Sequence, residues 1–151
     1  MALSYPYRLV RPPQPVFTLG GRWVRPRPLS PITVIGPADT RVLNGHLDTG
    51  SDDTVLAAST AALLGIDLGN APVGHASGVG QAPVPLKYAE VTFRLAKGGE
   101  QREWRAWVGF TSVPLTYALL GFAGFLQFFT ATFYGDREEV ELAVNSLYPG
   151  T

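Results

Sequence analysis

The stretch His46-Leu47-Asp48-Thr49-Gly50-Ser51-Asp52-Asp53-Thr54-Val55-Leu56 places small polar and acidic residues directly after an apolar approach. The apolar side chains within Val42–Leu47 predict a short strand that runs into this turn. Gly50 lets the backbone come close to a group bound over Asp48. An acid held at the end of an apolar strand is energetically unfavourable, so this arrangement indicates a functional site.

The motif Asp48-Thr49-Gly50-Ser51 resembles the active-site signature of aspartic proteases, and the run to Leu56 is similar to the retroviral type. Because three common residues coincide easily by chance, this motif alone is a weak signal. Two further elements stand where that family has them. Ser77-Gly78-Val79-Gly80 occupies the place of a glycine-rich flap, and Ala118-Leu119-Leu120-Gly121 resembles the family's apolar-apolar-glycine element. Order and spacing agree from Ile32 to Tyr134, so the chain resembles the single-domain, homodimeric retropepsin-like proteases.

This resemblance implies a mainly β, closed-barrel-like retropepsin fold with a flap hairpin and one short helix in the C-terminal half, over residues 122–129. Residues 32–151 would form the protease-like domain. Residues 1–31 are rich in proline and arginine and contain no acid, which predicts an extended surface arm more than a nucleic-acid-binding tail. The arm could pack against acidic residues near the C-terminus, namely Asp136, Glu138, Glu139 and Glu141.

The patterns of apolar residues and turn formers predict the remaining elements. Ser59 is expected to cap a short helix that ends at Leu64 before Gly65. A slip in alternation near Ala89-Glu90 predicts a β-bulge in a long strand. Strands are expected at residues 32–35, 42–47, 54–56, 104–110, 131–134 and 138–144, with flap arms at 73–77 and 81–85 and a hairpin turn at 97–100.

Peptide hydrolysis by an acid-type enzyme needs one carboxylate as general base on water while another donates a proton to the carbonyl. Two carboxylates at close range share a proton and titrate as a pair. The chain contains a single Asp-Thr-Gly, so the second carboxylate must come from a second copy of Asp48 across a two-fold axis. This chemistry therefore predicts a homodimer that cuts a peptide or protein substrate.

The resemblance also implies roles for residues around Asp48. Thr49 would join the two active-site loops through its hydroxyl, and Gly50 would present backbone to the substrate. Asp52 and Asp53 match the family positions that bind peptide backbone at the rim of the site, the rim acids. In retroviral members an arginine follows the apolar-apolar-glycine element and pairs with the first rim acid, whereas this chain has Phe122 there. Asp52 then needs another partner, such as an arginine of the arm, or faces water. The substrate would contact Ser51, Asp52, Asp53, Ser77, Gly78, Val79, Gly80 and Leu119.

Other interpretations of these residues stay open. The acidic turn could be ordinary, Asp52 and Asp53 could be solvated turn acids, and Ser77 to Gly80 could be a plain hairpin tip. His46 and His75 have no acid at metal-binding spacing and are expected to be structural. A retropepsin-like fold kept for dimerisation or peptide binding, with a silent dyad, is the alternative to the enzyme.

Composition narrows the classes of protein that fit. The chain has 151 residues, of which 46% are hydrophobic and 16% charged, as in one compact domain with a real core. The formal net charge is zero, so no overall field attracts nucleic acid or an anionic membrane. Without cysteine there is neither a disulfide nor a thiol nucleophile. No cofactor or metal is expected, no apolar run is long enough to span a bilayer, and a cytoplasmic location is the default expectation.

Overall fold

The part of the chain that the structure describes contains twelve strands and one short α-helix. The computed structural model describes residues 2–77 and 82–151. The helix α1 spans Ala58–Leu64, and two 3-10 turns span Phe17–Leu19 and Leu126–Phe128. The strands are β1 Leu3–Pro6, β2 Arg8–Val10, β3 Arg25–Arg27, β4 Leu29–Ile35, β5 Thr40–Leu47, β6 Val55–Ala57, β7 Val73–Ala76, β8 Val84–Lys97, β9 Glu100–Thr111, β10 Ala118–Leu120, β11 Phe129–Tyr134 and β12 Glu139–Val144.

Six of these strands close into a barrel, as the predicted fold class requires. Their hydrogen-bonded order is β4-β5-β10-β6-β9-β8, and β8 pairs back onto β4 to close the ring. The pairs β5–β10 and β6–β9 are parallel, whereas the other neighbours are antiparallel. β7 extends the sheet beyond β8 as the expected hairpin. The glycine turn between β8 and β9 is also confirmed, since Gly98 and Gly99 both have positive φ.

Alternate residues of β9 build the barrel core, because successive side chains of a strand point to opposite faces. Trp104 is the centre of an aromatic cluster and packs edge-on against Phe125 and Phe129, at centroid distances of 5.6 and 5.3 Å. Its indole N–H donates to the carbonyl oxygen of Gly124 at 2.9 Å, so this large side chain is buried without an unpaired donor. The predicted inward face of β9 is confirmed as Trp104, Ala106, Val108 and Phe110.

The N-terminal segment is joined to the C-terminal hairpin. β1 pairs antiparallel with β12, and Leu3 and Tyr5 are buried in the core. Arg22 forms an ion pair with Glu138 at 3.1 Å. This contact agrees with the suggestion that the N-terminal segment packs against acidic residues near the C-terminus. β4 begins at Leu29 and runs across the predicted boundary between residues 31 and 32.

The prediction of a helix over residues 122–129 is wrong. Only the single 3-10 turn Leu126–Phe128 forms there, and α1 lies in the N-terminal half. Gly124 adopts φ 90°, which no right-handed helix accommodates. Phe125 and Phe129 stack on each other at 5.2 Å inside the core, so packing of the aromatic rings decides the backbone path.

Two smaller expectations also need correction. α1 begins after Ala57 with no side-chain cap, so Ser59 is not its N-cap, although Gly65 ends the helix with φ 76° as expected. The β-bulge near Ala89 is absent from the β8–β9 ladder, which keeps one register from Lys87 to Lys97. The apolar phase changes because β8 buries Leu86 on one face and Val91 on the other.

Candidate active site

Asp48 stands at the point where β5 leaves the barrel wall. β5 and β10 run parallel side by side, and the backbone N–H of Asp48 donates to the carbonyl oxygen of Leu120 at 3.1 Å. The chain then turns tightly. The N–H of Gly50 donates to Oδ1 of Asp48 at 2.9 Å, and the N–H of Ser51 donates to the Asp48 carbonyl at 3.2 Å. The carboxylate is thus held by its own loop, as is typical of Asx turns.

Gly121 allows the segment after β10 to pack directly on this loop. A Cβ at this position would lie 2.6 Å from the carbonyl oxygen of Ser51, and it would also overlap the carbonyl of Asp53. The N–H groups of Phe122 and Ala123 donate to the carbonyls of the loop, at 2.9 Å each. The apolar-apolar-glycine element therefore fixes the backbone of the acidic loop, which explains why the two motifs occur together.

A cleft of about 380 Å³ opens beside Asp48. Asp48 is the one ionisable side chain among the described residues that line it, and most of the other walls are apolar. Such a surface suits the side chains of an extended peptide next to a single charged group. The cleft brings together the predicted Asp48, Gly50, Ser51, Ser77 and Leu119. It adds residues that were not among the predicted site residues, namely Val55, Ala76, Val84, Leu86, Thr111, Val113, Pro114 and Leu115.

Asp52 and Asp53, the predicted rim acids, have different environments. Asp53 is half-buried, and its Oδ2 accepts a hydrogen bond from the hydroxyl of Tyr88 at 3.1 Å. Asp52 is exposed, and no ion pair or side-chain hydrogen bond of Asp52 is found in the described part of the chain. Of the two expectations for Asp52, exposure to water is the one observed. Tyr88 has no local motif that could have indicated it, because it lies 35 residues from Asp53.

Thr49 lies at the tip of the loop and is exposed, and neither it nor the rim acids line the cleft of this single chain. β7 and β8, where the arms of a flap were expected, pair antiparallel from Val73 with Lys87 to Ala76 with Val84. Ser77 reaches the cleft. Gly78, Val79, Gly80 and Gln81, which include the predicted flap tip, lie outside the described residues.

His46 precedes Asp48 by two residues on β5, and its ring lies 6.5 Å from that of Tyr117. Burial lowers the pKa of the imidazole, the charge of Asp48 acts in the opposite direction, and the charge of Arg27 lowers it further. The neutral imidazole is therefore favoured at neutral pH. In residues 2–77 and 82–151, no group of three or more potential metal ligands is found. No helix of these residues is long and apolar enough to cross a membrane.

Comparisons with solved structures identify this architecture. A retropepsin-like aspartic protease from Rickettsia conorii superposes with a TM-score of 0.52 at 17% identity, over 94% of this chain and 92% of that one. This chain has a retropepsin-like fold. The fold predicted from the acidic loop, the glycine-rich segment and the apolar-apolar-glycine element is therefore confirmed.

A second solved structure matches with a lower TM-score. EIAV protease, in complex with the inhibitor HBY-793, has a TM-score of 0.38 and 22% identity, over 63% of this chain and 81% of that one. No protein-family model matches the chain, and no curated protein matches its sequence.

Proposed function

We propose that this chain is an aspartic endopeptidase that works as a homodimer, with one Asp48 from each subunit at a shared active site. The observation that carries the proposal is the position of Asp48 at the end of β5, beside an apolar cleft with no other ionisable group among its described lining residues. A peptide would lie extended along this cleft. Val55, Leu86 and Leu119 would contact its side chains.

The two Asp48 carboxylates divide the chemistry between them. One ionised carboxylate takes a proton from a water molecule, whose oxygen attacks the carbonyl carbon of the peptide bond, while the protonated partner donates to the carbonyl oxygen. The first carboxyl group then gives the proton it took from water to the nitrogen, and the second takes a proton from a hydroxyl of the diol. The C–N bond breaks, the amine leaves, and the pair again holds one proton. The Gly50 N–H, bonded to Oδ1 of Asp48, keeps the carboxyl group oriented. Because one subunit supplies one such acid, assembly of two subunits completes the site.

The surface around the loop supports a subunit contact. Thr49 and Asp52 are exposed beside Asp48, and Phe122 is 59% exposed although it is a large apolar side chain. Burial of Phe122 against a second subunit would stabilise the dimer, by about 25 cal/mol for each Å² of apolar surface removed from water. An apolar contact would then stand where retroviral relatives have an arginine ion pair. Thr49 would meet its symmetry mate across the two-fold axis.

A cleavage assay on an unstructured protein substrate tests the proposed function. Cleavage should be blocked by a pepstatin-like inhibitor, and the activity per milligram should rise with protein concentration as dimers form. No cleavage at any concentration above the dimer dissociation constant would contradict the proposal. Cleavage that is independent of concentration in a chain shown to be monomeric would contradict the shared site.

The pH dependence of cleavage should be a bell with a falling alkaline limb. Two close carboxylates must together hold one proton for this mechanism, and that proton is lost as the pH rises. Rates measured on one peptide across the pH range, with the dimer fraction monitored in parallel, check this expectation. A rate that climbs steadily to about pH 9 would contradict the shared proton.

Two substitutions of Thr49 should distinguish the contribution of its hydroxyl to dimer stability from that of its methyl group. Thr49→Ala should weaken the dimer more than Thr49→Ser, because serine keeps a hydroxyl for the bond across the interface. The expected penalty for alanine is about 1–3 kcal/mol for each partner left unpaired. Analytical ultracentrifugation of both variants measures it, and equal dimer constants would remove Thr49 from the interface.

A further inference from the structure

Tyr88 connects the hairpin base to the acidic loop. Its hydroxyl donates to Oδ2 of Asp53 at 3.1 Å, between residues that are far apart in the chain. Its backbone N–H donates to the carbonyl oxygen of Pro72 at 2.9 Å, immediately before β7. A single residue of β8 thus contacts the acidic loop with its side chain and the residue before β7 with its main chain.

Gly74 of β7 makes this arrangement possible. A Cβ built on Gly74 would lie 2.6 Å from Cε2 and 2.9 Å from Cζ of the Tyr88 ring. The ring therefore lies across the bare backbone of Gly74, and any side chain there would displace it. Gly74 does not have the positive φ that would by itself require glycine, so the space for the tyrosine ring is the physical reason for this residue.

Asp53 is held on its main-chain side as well. Its carbonyl accepts a hydrogen bond from the hydroxyl of Ser51 at 2.7 Å, and its backbone forms a parallel bridge with Ala123. The remaining freedom of Asp53 is the rotation of its side chain. The Tyr88 hydroxyl restricts that rotation, whereas the neighbouring Asp52 carboxylate has no comparable restraint in the described residues.

We propose that Tyr88 is a positioning residue, which fixes the Asp53 carboxylate on the acidic loop and tethers it to the base of the β7–β8 hairpin. This inference rests on the proposed function, since the fixed carboxylate serves to bind a polypeptide substrate through N–H groups or a cationic side chain. Preorganisation of a binding carboxylate improves affinity because less side-chain freedom is lost when the substrate binds. The tether also couples the motion of the hairpin base to that of the acidic loop.

The Tyr88 hydroxyl is protonated near neutral pH and can act as a donor. Burial raises the pKa of Tyr88, and the hydrogen bond to Asp53 and the negative charge of Asp53 raise it further. A tyrosine that stays protonated cannot lose this bond through its own ionisation near neutral pH. Ionisation of Tyr88 therefore does not break the tether near neutral pH.

Tyr88→Phe tests the tether, because it removes the hydroxyl and keeps the ring over Gly74. It should raise KM for a protein substrate about ten-fold and change kcat less than about two-fold. Amide hydrogen exchange in Val73–Ala76 should become about ten-fold faster, because the hairpin base loses its link to the acidic loop. Gly74→Ala should reproduce both effects, because the added methyl group displaces the ring from Asp53.

The matched control is Tyr148→Phe, which removes a partly buried hydroxyl that donates to the Glu103 carbonyl at 3.0 Å, outside the cleft. It should leave KM and the exchange of β7 unchanged. Unchanged KM or unchanged β7 exchange in Tyr88→Phe would overturn the inference. A wild-type chain that cleaves nothing would contradict the proposed function instead, and the exchange of β7 would still decide whether the tether exists.

Discussion

Asp48→Asn is expected to abolish peptidase activity, with a loss of at least about 1,000-fold, while the fold and the dimer remain. Asparagine has nearly the same volume, and its side-chain oxygen can still accept the hydrogen bond from the Gly50 N–H. It cannot accept a proton from water or carry the shared proton. Cleavage rates on the purified variant, together with its thermal unfolding temperature and its sedimentation, measure the three properties separately.

Asp67→Asn is the matched control for this substitution. Oδ1 of Asp67 accepts a hydrogen bond from the Gly69 N–H at 2.8 Å, the same local arrangement as at Asp48, but Asp67 does not line the cleft. It should keep full activity. Full activity in a folded, dimeric Asp48→Asn protein would exclude Asp48 from the chemistry, and an inactive Asp67→Asn protein would indicate a general effect on the fold.

Of the substitutions proposed for this chain, Gly121→Ala is expected to destabilise the fold most. The new methyl group would overlap the carbonyl oxygens of Ser51 and Asp53, which are backbone atoms and cannot rotate away. Overpacking of this kind destabilises by about 1–3 kcal/mol, or more where the backbone must shift. The unfolding temperature should fall by several degrees. Activity should fall further than stability explains, since the displaced loop carries Asp48.

Gly135→Ala is the control for added side-chain volume. Apart from its chain neighbours, no atom of residues 2–77 and 82–151 lies within 4 Å of a Cβ built there, and its φ is not in the left-handed region. It should change the free energy of unfolding by no more than about 0.5 kcal/mol. Equal unfolding temperatures for the two alanine variants would contradict the close packing of Gly121 on the acidic loop.

The features that the sequence predicted are those with local physical causes. The Asp48 turn, the Gly98-Gly99 hairpin and the Gly65 helix end each depend on a glycine or an acidic residue acting within a few positions. The inward face of β9 follows from the alternation of its apolar residues. The barrel itself was expected from the family resemblance that the acidic loop and the two further motifs carry, and the structure confirms it.

The features that the sequence did not predict depend on distant contacts. Residues 122–129 have an apolar pattern that is compatible with a helix. In the structure, however, Phe125 and Phe129 pack in the core against Trp104 of β9. The bond between Tyr88 and Asp53 joins separate elements with no periodic signal. The pairing of β1 with β12 joins the two ends of the chain, which a local reading of a proline-rich segment cannot show.

The central claim is that two chains contribute one Asp48 each to a single active site. Mixing wild-type protein with Asp48→Asn protein tests it most directly, at constant total concentration well above the dimer dissociation constant and after subunit exchange. An equal mixture should have about one quarter of the activity of pure wild-type protein, because about one dimer in four carries both carboxylates. Activity of about one half, in direct proportion to the wild-type fraction, would contradict the shared site.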